Sequence, residues 1–206
     1  MKIIGLSGGS GSGKGTVSKL FLDYGIHSID ADSVYHQLTS SKSPCLDALV
    51  AEFGTEILSN DGSLNRKKLF STVFYSGDVS AKQNRLNKIT HKFVLERIRE
   101  IIDEYKKLGA PAVLVDAPLL FESEFNKECD IIISVIAEKS IRTERIIKRD
   151  GITLSEAEKR INSQLSDDFL IDNSNYVIKN NKGIEELKDA VQSIAKQIMN
   201  ITNKEK

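Results

Sequence analysis

The sequence predicts an α/β protein in which helices flank a parallel sheet of about five strands. Three observations carry this. Short apolar runs lie at Lys2–Leu6, Ile26–Ile29, Ala112–Val115, Ile131–Ile136 and Tyr176–Ile178. The runs at 112–115 and 131–136 are almost continuously apolar, the pattern of strands buried on both faces of a parallel sheet. Between 33 and 109 the apolar spacing is helical and no convincing strand occurs, so a helical insertion (33–109) divides a core made of 1–32 and 110–206.

Taken in order, Lys2–Leu6 is a short buried strand with glycines directly after it. A helix opens at Lys14, with Val17, Leu20 and Phe21 on one face and Gly25 at its end. The strand Ile26–Ile29 closes on Asp30-Ala31-Asp32. Within the insertion, Val34–Leu38, Leu46–Phe53, Lys68–Phe74 and Phe93–Tyr105 read as helices, and Asn60-Asp61-Gly62 as a turn. A charged helix follows the strand 131–136, from Glu138 to Arg149. Ser155-x-x-Glu158 has the form of a capping box opening the next helix. Ile184, Leu187, Val191, Ile194 and Ile198 stripe the closing helix, and Asn203–Lys206 reads as a polar tail.

Composition narrows the function. Lysine plus arginine equal aspartate plus glutamate at 29 each, so nothing in the charge balance argues for nucleic acid or an anionic membrane. No run approaches the ~20 apolar residues of a membrane span, and the N-terminal run is too short for a signal-peptide core. Cys45 and Cys129 lack the spacing of a zinc site and read as buried reduced thiols, with a single disulfide between them as the alternative. A cytoplasmic protein with no obligate protein partner is expected. His27, His36 and His91 show no ligand-like spacing.

Gly8-Gly9-Ser10-Gly11-Ser12-Gly13-Lys14 fits the first seven positions of the phosphate loop GxxxxGK[ST]. Glycines are needed there because backbone N–H groups must wrap phosphates with no Cβ in the way. The helix start adds its partial positive charge, and Lys14 a point charge for the β- and γ-phosphates. Gly11, Ser12, Gly13, Lys14, Gly15 and Thr16 are thus the nucleotide-binding candidates, and the fold expected is of the P-loop NTPase type. Gly15 stands where the motif has Ser or Thr, with the hydroxyl one place later at Thr16. Water is expected to take the missing Mg²⁺ ligand's place, while Thr16 bonds a phosphate oxygen.

Asp30 and Asp32 sit at a strand's carboxyl end, the edge where parallel sheets bind ligands. Read as extended chain, the spacing of two points both the same way, fit for a general base or a Mg²⁺ water; equally, both fit as caps of a helix starting near Ser33. Asp116 ends the strand 112–115, the position of a carboxylate near Mg²⁺, directly or through water. Arg142, Arg145 and Arg149 fall at i, i+3 and i+7 on one helical face. They are either a solvated stripe or a lid closing on the nucleotide, with Asp150-Gly151 as its bend.

These stretches, in this order, resemble the dephospho-coenzyme A kinase family. The resemblance rests on residues 5–14, Ile-Asp-Ala-Asp at 29–32, Phe-Gly-x-x-Ile-Leu at 53–58 and Asp-Gly-Ser-Leu-Asn-Arg at 61–66. It continues through Pro-Leu-Leu-Phe-Glu at 118–122, Arg145-x-x-x-Arg149-Asp150 and Val177-Ile178-x-Asn180-Asn181. It implies an ATP- and Mg²⁺-dependent transfer to the 3′-hydroxyl of the dephospho-coenzyme A ribose, with ATP and dephospho-coenzyme A as partners. By the same resemblance Asp32 matches the base, Arg145 and Arg149 the arginines of a helical lid (about 139–172), and Asn180 a segment near the adenine. Arg66, Leu119 and Phe121, with Asp32, are the substrate-binding candidates, and Lys14, Asp32, Arg145 and Arg149 the catalytic ones. Arg142 has no counterpart in the pattern and reads as surface charge. The chain departs from the pattern at Gly15, at Lys92 after His91 where Pro is common, and at Ser174-Asn175 in place of Ala-Asp.

Two alternatives stand beside this. Another small-molecule P-loop kinase, for nucleotides or nucleosides, shares the loop, strand-end Asp and lid but not the 118–122 run. A GTP-dependent switch needs Asn-Lys-x-Asp, and Asn126-Lys127-Glu128-Cys129 lacks the Asp.

Overall fold

Five strands, β1 (Lys2–Ser7), β2 (His27–Asp30), β3 (Ala112–Asp116), β4 (Ile131–Ile136) and β5 (Tyr176–Lys179), form one parallel sheet in the order β2-β3-β1-β4-β5. The computed structural model describes residues 1–75 and 77–204. β1 lies between β3, pairing Lys2 with Ala112 through Leu6 with Asp116, and β4, pairing Ile4 with Ile131 through Ser7 with Ser134. From β1 the chain runs to the β3 side, and from β4 to the β5 side. The connections therefore part between β1 and β4, and in such sheets the crevice at that point, beyond the strands' carboxyl ends, receives ligands.

Nine helices lie between or after these strands in the chain, among the described residues: α1 (Lys14–Leu22), α2 (Ala31–Ser40), α3 (Pro44–Phe53), α4 (Arg66–Phe74), α5 (Val79–Lys107), α6 (Lys139–Asp150), α7 (Leu154–Asn162), α8 (Asp167–Asp172) and α9 (Ile184–Lys204). The chain divides into two compact units, residues 1–29 with 102–206, and residues 30–101. In the first, Ile4, Leu6, Leu114, Ile133, Val135 and Ile178 of the sheet meet Val17 and Phe21 of α1 and Leu187, Val191 and Ile198 of α9. Each such side chain contributes about 1.5–3 kcal/mol of transfer free energy on burial. The second unit has its own core of Cys45, Leu49, Phe53, Ile57, Leu69 and Val73.

The first strand packs tightly at Gly5. A Cβ there would stand 2.9 Å from both Cys129 Sγ and a methyl of Leu120. Overpacking of this kind costs roughly 1–3 kcal/mol. Gly5→Ala is accordingly expected to lower the unfolding free energy by that amount, seen as a lower urea midpoint at unchanged slope, and an unaltered midpoint would show that Leu120 yields freely.

Four elements differ from the sequence-based expectation. The second helix begins at Ala31 rather than near Ser33, because Asp30 caps it: its carboxylate accepts from the Asp32 N–H (2.9 Å) and the Ser33 hydroxyl (2.8 Å). The fifth starts at Val79, well before Phe93. Its first half is polar and hides its period, but Asp78 accepts from the Ala81 N–H (3.0 Å) and Leu86, Ile89 and Phe93 reach the second unit's core. The helix passes through His91-Lys92 unbroken. The capping box is Thr153 with Glu156, not Ser155 with Glu158: Thr153 Oγ1 accepts from Glu156 N–H (3.3 Å) and Glu156 Oε2 from Thr153 N–H (2.8 Å). Apolar Leu154 takes the first helical position, so the box slides two residues towards the N-terminus. Of the predicted tail, Asn203 and Lys204 continue α9, while 205 and 206 lie outside the described residues.

β4 and β5 are locked at their start by Asn175, whose side-chain oxygen accepts from Ile132 N–H (2.7 Å) while its own N–H donates to Ile132 O (2.9 Å). Ser174 Oγ, 2.7 Å from Ser134 Oγ, also donates to Leu170 O (2.7 Å). Ser174-Asn175 thus satisfies the buried polar edge of the sheet. Both cysteines are free; Cys45 is buried and Cys129 only partly so. Burial pushes the Cys129 thiol up to about 12, helped by Glu128 and Asp130 beside it.

Candidate active site

The loop between β1 and α1 is built by glycines in the left-handed region, Gly11 at φ 78° and Gly13 at φ 95°. Gly13 is the N-cap of α1 and offers no capping side chain, so the helix's first amides are open. The N–H groups of Gly11, Gly13 and Gly15 have no acceptor among the described residues. Ser12 is fully buried, and its hydroxyl has no hydrogen-bond partner among them. Open N–H groups at a helix start, next to a lysine, form an anion site.

Lys14 Nζ forms a short ion pair with Asp116, which ends β3 and is only 7 % exposed. The register explains the meeting: Asp116 lies across from Leu6, and its neighbour Ala117 N–H donates to Leu6 O. The strand-end carboxylate is therefore beside the phosphate loop. Among the described residues no cluster of three or more His, Cys, Asp or Glu is arranged to hold a metal.

The arginine stripe of α6 lies against the loop. Arg145 Nη1 donates to the carbonyls of Gly11 (3.2 Å) and Ser12 (3.4 Å). Arg149 is exposed; it holds Asp150 (2.7 and 2.9 Å) and reaches Ser10 Oγ at 3.4 Å. The Arg149 guanidinium, with Arg160 adding its own pairing, takes the Asp150 carboxyl down to about 2. Arg142 is not surface charge: it is 4 % exposed and bonded to Ser10, Gln164 and Asp167. The helical period predicts the stripe, but its burial comes from partners far away in sequence. Gln164 and Asp167 carried no signal at all in the sequence.

Asn180, following β5, is 7 % exposed and donates from Nδ2 to Ser12 O (2.8 Å). Asn181 accepts from Glu138 N–H (2.8 Å) and donates to its carboxylate (2.9 Å), fixing the start of α6. The turn 118–124 is pinned by buried Leu120, leaving Leu119 exposed and Phe121 edge-on to Phe169 of α8 (5.2 Å).

In the second unit, Asp30 and Asp32 do not act alike. With Ala31 already helical, Asp30 spends its carboxylate on the cap, while the Asp32 carboxylate stands in the first turn of α2, exposed and unbonded among the described residues. Arg66 opens α4, lies 5.8 Å from the Tyr35 ring centroid, and lines an open polar cavity of about 400 Å³ with His36, Ser40, Ser63 and Lys67. The cavity's rim is the turn at Asp61, where Ser63 donates twice to one carboxylate oxygen (3.0 and 2.7 Å) and holds it below the usual carboxylate range.

Gly13 and Gly15 make opposite demands. A Cβ on Gly13 would drive into Asn180 Nδ2 at a left-handed φ; one on Gly15 meets nothing within 4 Å. Gly13→Ala is expected to cost about 1–2 kcal/mol in backbone strain alone, before the collision is counted. Gly15→Ala is expected to gain up to about 1 kcal/mol by removing glycine's helical penalty. Urea unfolding of the two variants checks both; a destabilised Gly15→Ala would overturn the open-space account.

The sheet order, the glycine loop at β1 and the lysine–aspartate pair at the crevice define a P-loop kinase fold. The family model described as Dephospho-CoA kinase matches residues 2–186, and the chain belongs to that family. A Bacillus anthracis protein named dephospho-CoA kinase is 38 % identical over 195 residues, covering 95 % of this chain and 96 % of its own. A Thermus thermophilus crystal structure superposes with a TM-score of 0.78 at 26 % identity, covering 95 % of this chain and 97 % of that one. The Campylobacter jejuni dephospho-CoA kinase shares the fold, with a TM-score of 0.71 at 23 % identity, over 96 % and 97 % of the two chains.

Proposed function

We propose that this chain transfers the γ-phosphoryl group of ATP to the 3′-hydroxyl of the dephospho-coenzyme A ribose, giving coenzyme A and ADP. The observation that carries the reading is the family match over residues 2–186, which takes in the phosphate loop and the 118–122 turn alike. In the step, the ribose oxygen bonds to Pγ, the bond from Pγ to the β–γ bridging oxygen breaks, and the hydroxyl proton passes to Asp32. ADP leaves with the bridging electrons.

The open amides of Gly11, Gly13 and Gly15, the orphaned Ser12 hydroxyl and Lys14 suit a polyphosphate. Lys14 exchanges or shares its Asp116 partner when the phosphates arrive, and Thr16 adds a hydroxyl. Arg145 and Arg149 of the lid meet charge on the transferring group. Asn180 fixes the loop beside the adenine. Arg66, Leu119 and Phe121 contact the coenzyme, and the helical segment read as 33–109 is its seat. An Mg²⁺ ion suits hard oxygen donors, so buried Asp116 and the space at Gly15 would hold it through water, where it supplies neutralising charge to the phosphates. Two free thiols suit the reducing cytoplasm.

An acceptor panel tests the reading. ATP turnover should be supported by dephospho-coenzyme A and not by nucleoside monophosphates or nucleosides. Good turnover of a nucleotide with none of dephospho-coenzyme A would reject it.

A further inference from the structure

Three consecutive carbonyls of the phosphate loop each accept a hydrogen bond from a side chain of a later element. Ser10 O accepts from Arg142 Nε (3.0 Å), Gly11 O from Arg145 Nη1 (3.2 Å), and Ser12 O from Asn180 Nδ2 (2.8 Å). No peptide bond among the described residues is cis, so each following N–H points the opposite way. The Ser12 N–H accordingly closes on Gly9 O (3.1 Å), and those of Gly11 and Gly13 are left open. The side chains that hold these carbonyls therefore fix the peptide units that carry the open amides of Gly11 and Gly13.

At Ser10 this control is doubled. Its N–H donates to Gln164 Oε1 (2.8 Å), and the same oxygen accepts from Arg142 Nη2 (3.0 Å). Arg142 Nη1 is answered by Asp167 (3.2 Å) at the start of α8. One guanidinium thus ties the loop to the α7–α8 joint. Two of the loop's glycines make room for α6 at this residue: a Cβ on Gly9 would strike the Arg142 guanidinium, and one on Gly11 would lie 2.6 Å from the Arg142 backbone carbonyl. Burial lowers the Arg142 pKa, and the Asp167 charge works against that. With Asp167 partly open to solvent, the ion pair itself is a weak source of stability. What this one delivers is a rigid fork aimed at a backbone, which lysine would not supply.

We propose that Arg142, working with Gln164, is a positioning residue that holds the phosphate loop in its anion-binding shape before nucleotide arrives. The inference rests on the loop being the ATP phosphate site, and it adds Arg142, Gln164 and Asp167 to that site without contact to the reacting atoms.

ATP affinity by calorimetry and steady-state kinetics on the full chain test it. Arg142→Met should raise the Kd and KM for ATP about tenfold to a hundredfold, the worth of a charge-assisted hydrogen bond. The KM for dephospho-coenzyme A should stay within about twofold, since the loop alone is disturbed. Gln164 is exposed, so Gln164→Leu tests the same clamp if Arg142→Met does not fold; about a tenfold rise in ATP KM is expected. Gln164→Glu, which keeps an acceptor oxygen, should recover most of that loss. Unchanged ATP affinity in both deletions would overturn the proposal, as would equal rises in both substrates' KM with no rescue by Glu. A parent protein that binds ATP but leaves dephospho-coenzyme A untouched would reject the acceptor assignment instead, and the clamp would still be decided by the ATP Kd.

Discussion

Asp32→Asn is expected to fold as the parent does and to lose about 10² to 10⁴ in kcat, the usual worth of a positioned general base. The expectation of normal folding comes from the structure. Asp32 is exposed in the first turn of α2, and its carboxylate makes no hydrogen bond or ion pair among the described residues. Its charge gives the helix a few tenths of a kcal/mol at most, by the dipole. Asp30 provides the contrast, because its carboxylate carries the cap through Asp32 N–H and Ser33 Oγ. Asp30→Ala should cost about 1 kcal/mol of stability and less activity than Asp32→Asn. Measured kcat beside urea midpoints for both variants separates the roles. A drop of less than about fivefold in Asp32→Asn would remove the general-base role.

Lys14→Met should weaken ATP binding by about tenfold to a hundredfold, the range of one charge-assisted hydrogen bond, and reduce turnover as well. It should also destabilise the free protein. Asp116 is 7 % exposed and paired with Lys14, so the variant leaves a carboxylate without its counter-charge. Breaking a buried pair by removing one partner costs about 3–5 kcal/mol, less where, as here, some solvent reaches both groups. Adding Asp116→Asn to Lys14→Met removes the stranded charge, so stability should return while activity does not. With Asp116→Asn alone measured as well, the four proteins complete a double-mutant cycle. Unchanged ATP affinity in Lys14→Met would contradict the phosphate-loop assignment, and no recovery in the double variant would contradict the buried-pair account.

Legibility differed by element for physical reasons. The phosphate loop could be read because its requirement is local: glycine spacing between an apolar run and a helical period. The strands 112–116 and 131–136 could be read because burial on both faces leaves no alternation to mistake. The polar first half of α5 could not, since its three apolar anchors, Leu86, Ile89 and Phe93, are meaningful only against the second unit's core. The capping box was displaced by two residues because Thr153 and Ser155 both fit the pattern, and placing Leu154 at the helix start decides between them.

Asp30 and Asp32 were indistinguishable as a spacing of two. They became different once Ala31 entered the helix and a single backbone N–H chose Asp30. The three arginines were likewise one stripe of charge by period. Their separate fates, Arg142 buried, Arg145 on loop carbonyls and Arg149 out with Asp150, follow from the partners each meets: Gln164 and Asp167 enclose the first, and Asp150 holds the last.

By itself the sequence determined the five strands, the helix that follows the first of them, the anion-binding loop and the residues that mark the family, because these depend on neighbours within a turn or a strand. The tertiary structure alone decided which groups answer one another: Lys14 with Asp116 across a strand pairing, and Arg142 with Ser10, Gln164 and Asp167. Such partners lie up to 132 residues apart in the chain. Only the order of the sheet brings them within hydrogen-bond range, and only burial makes their pairing matter.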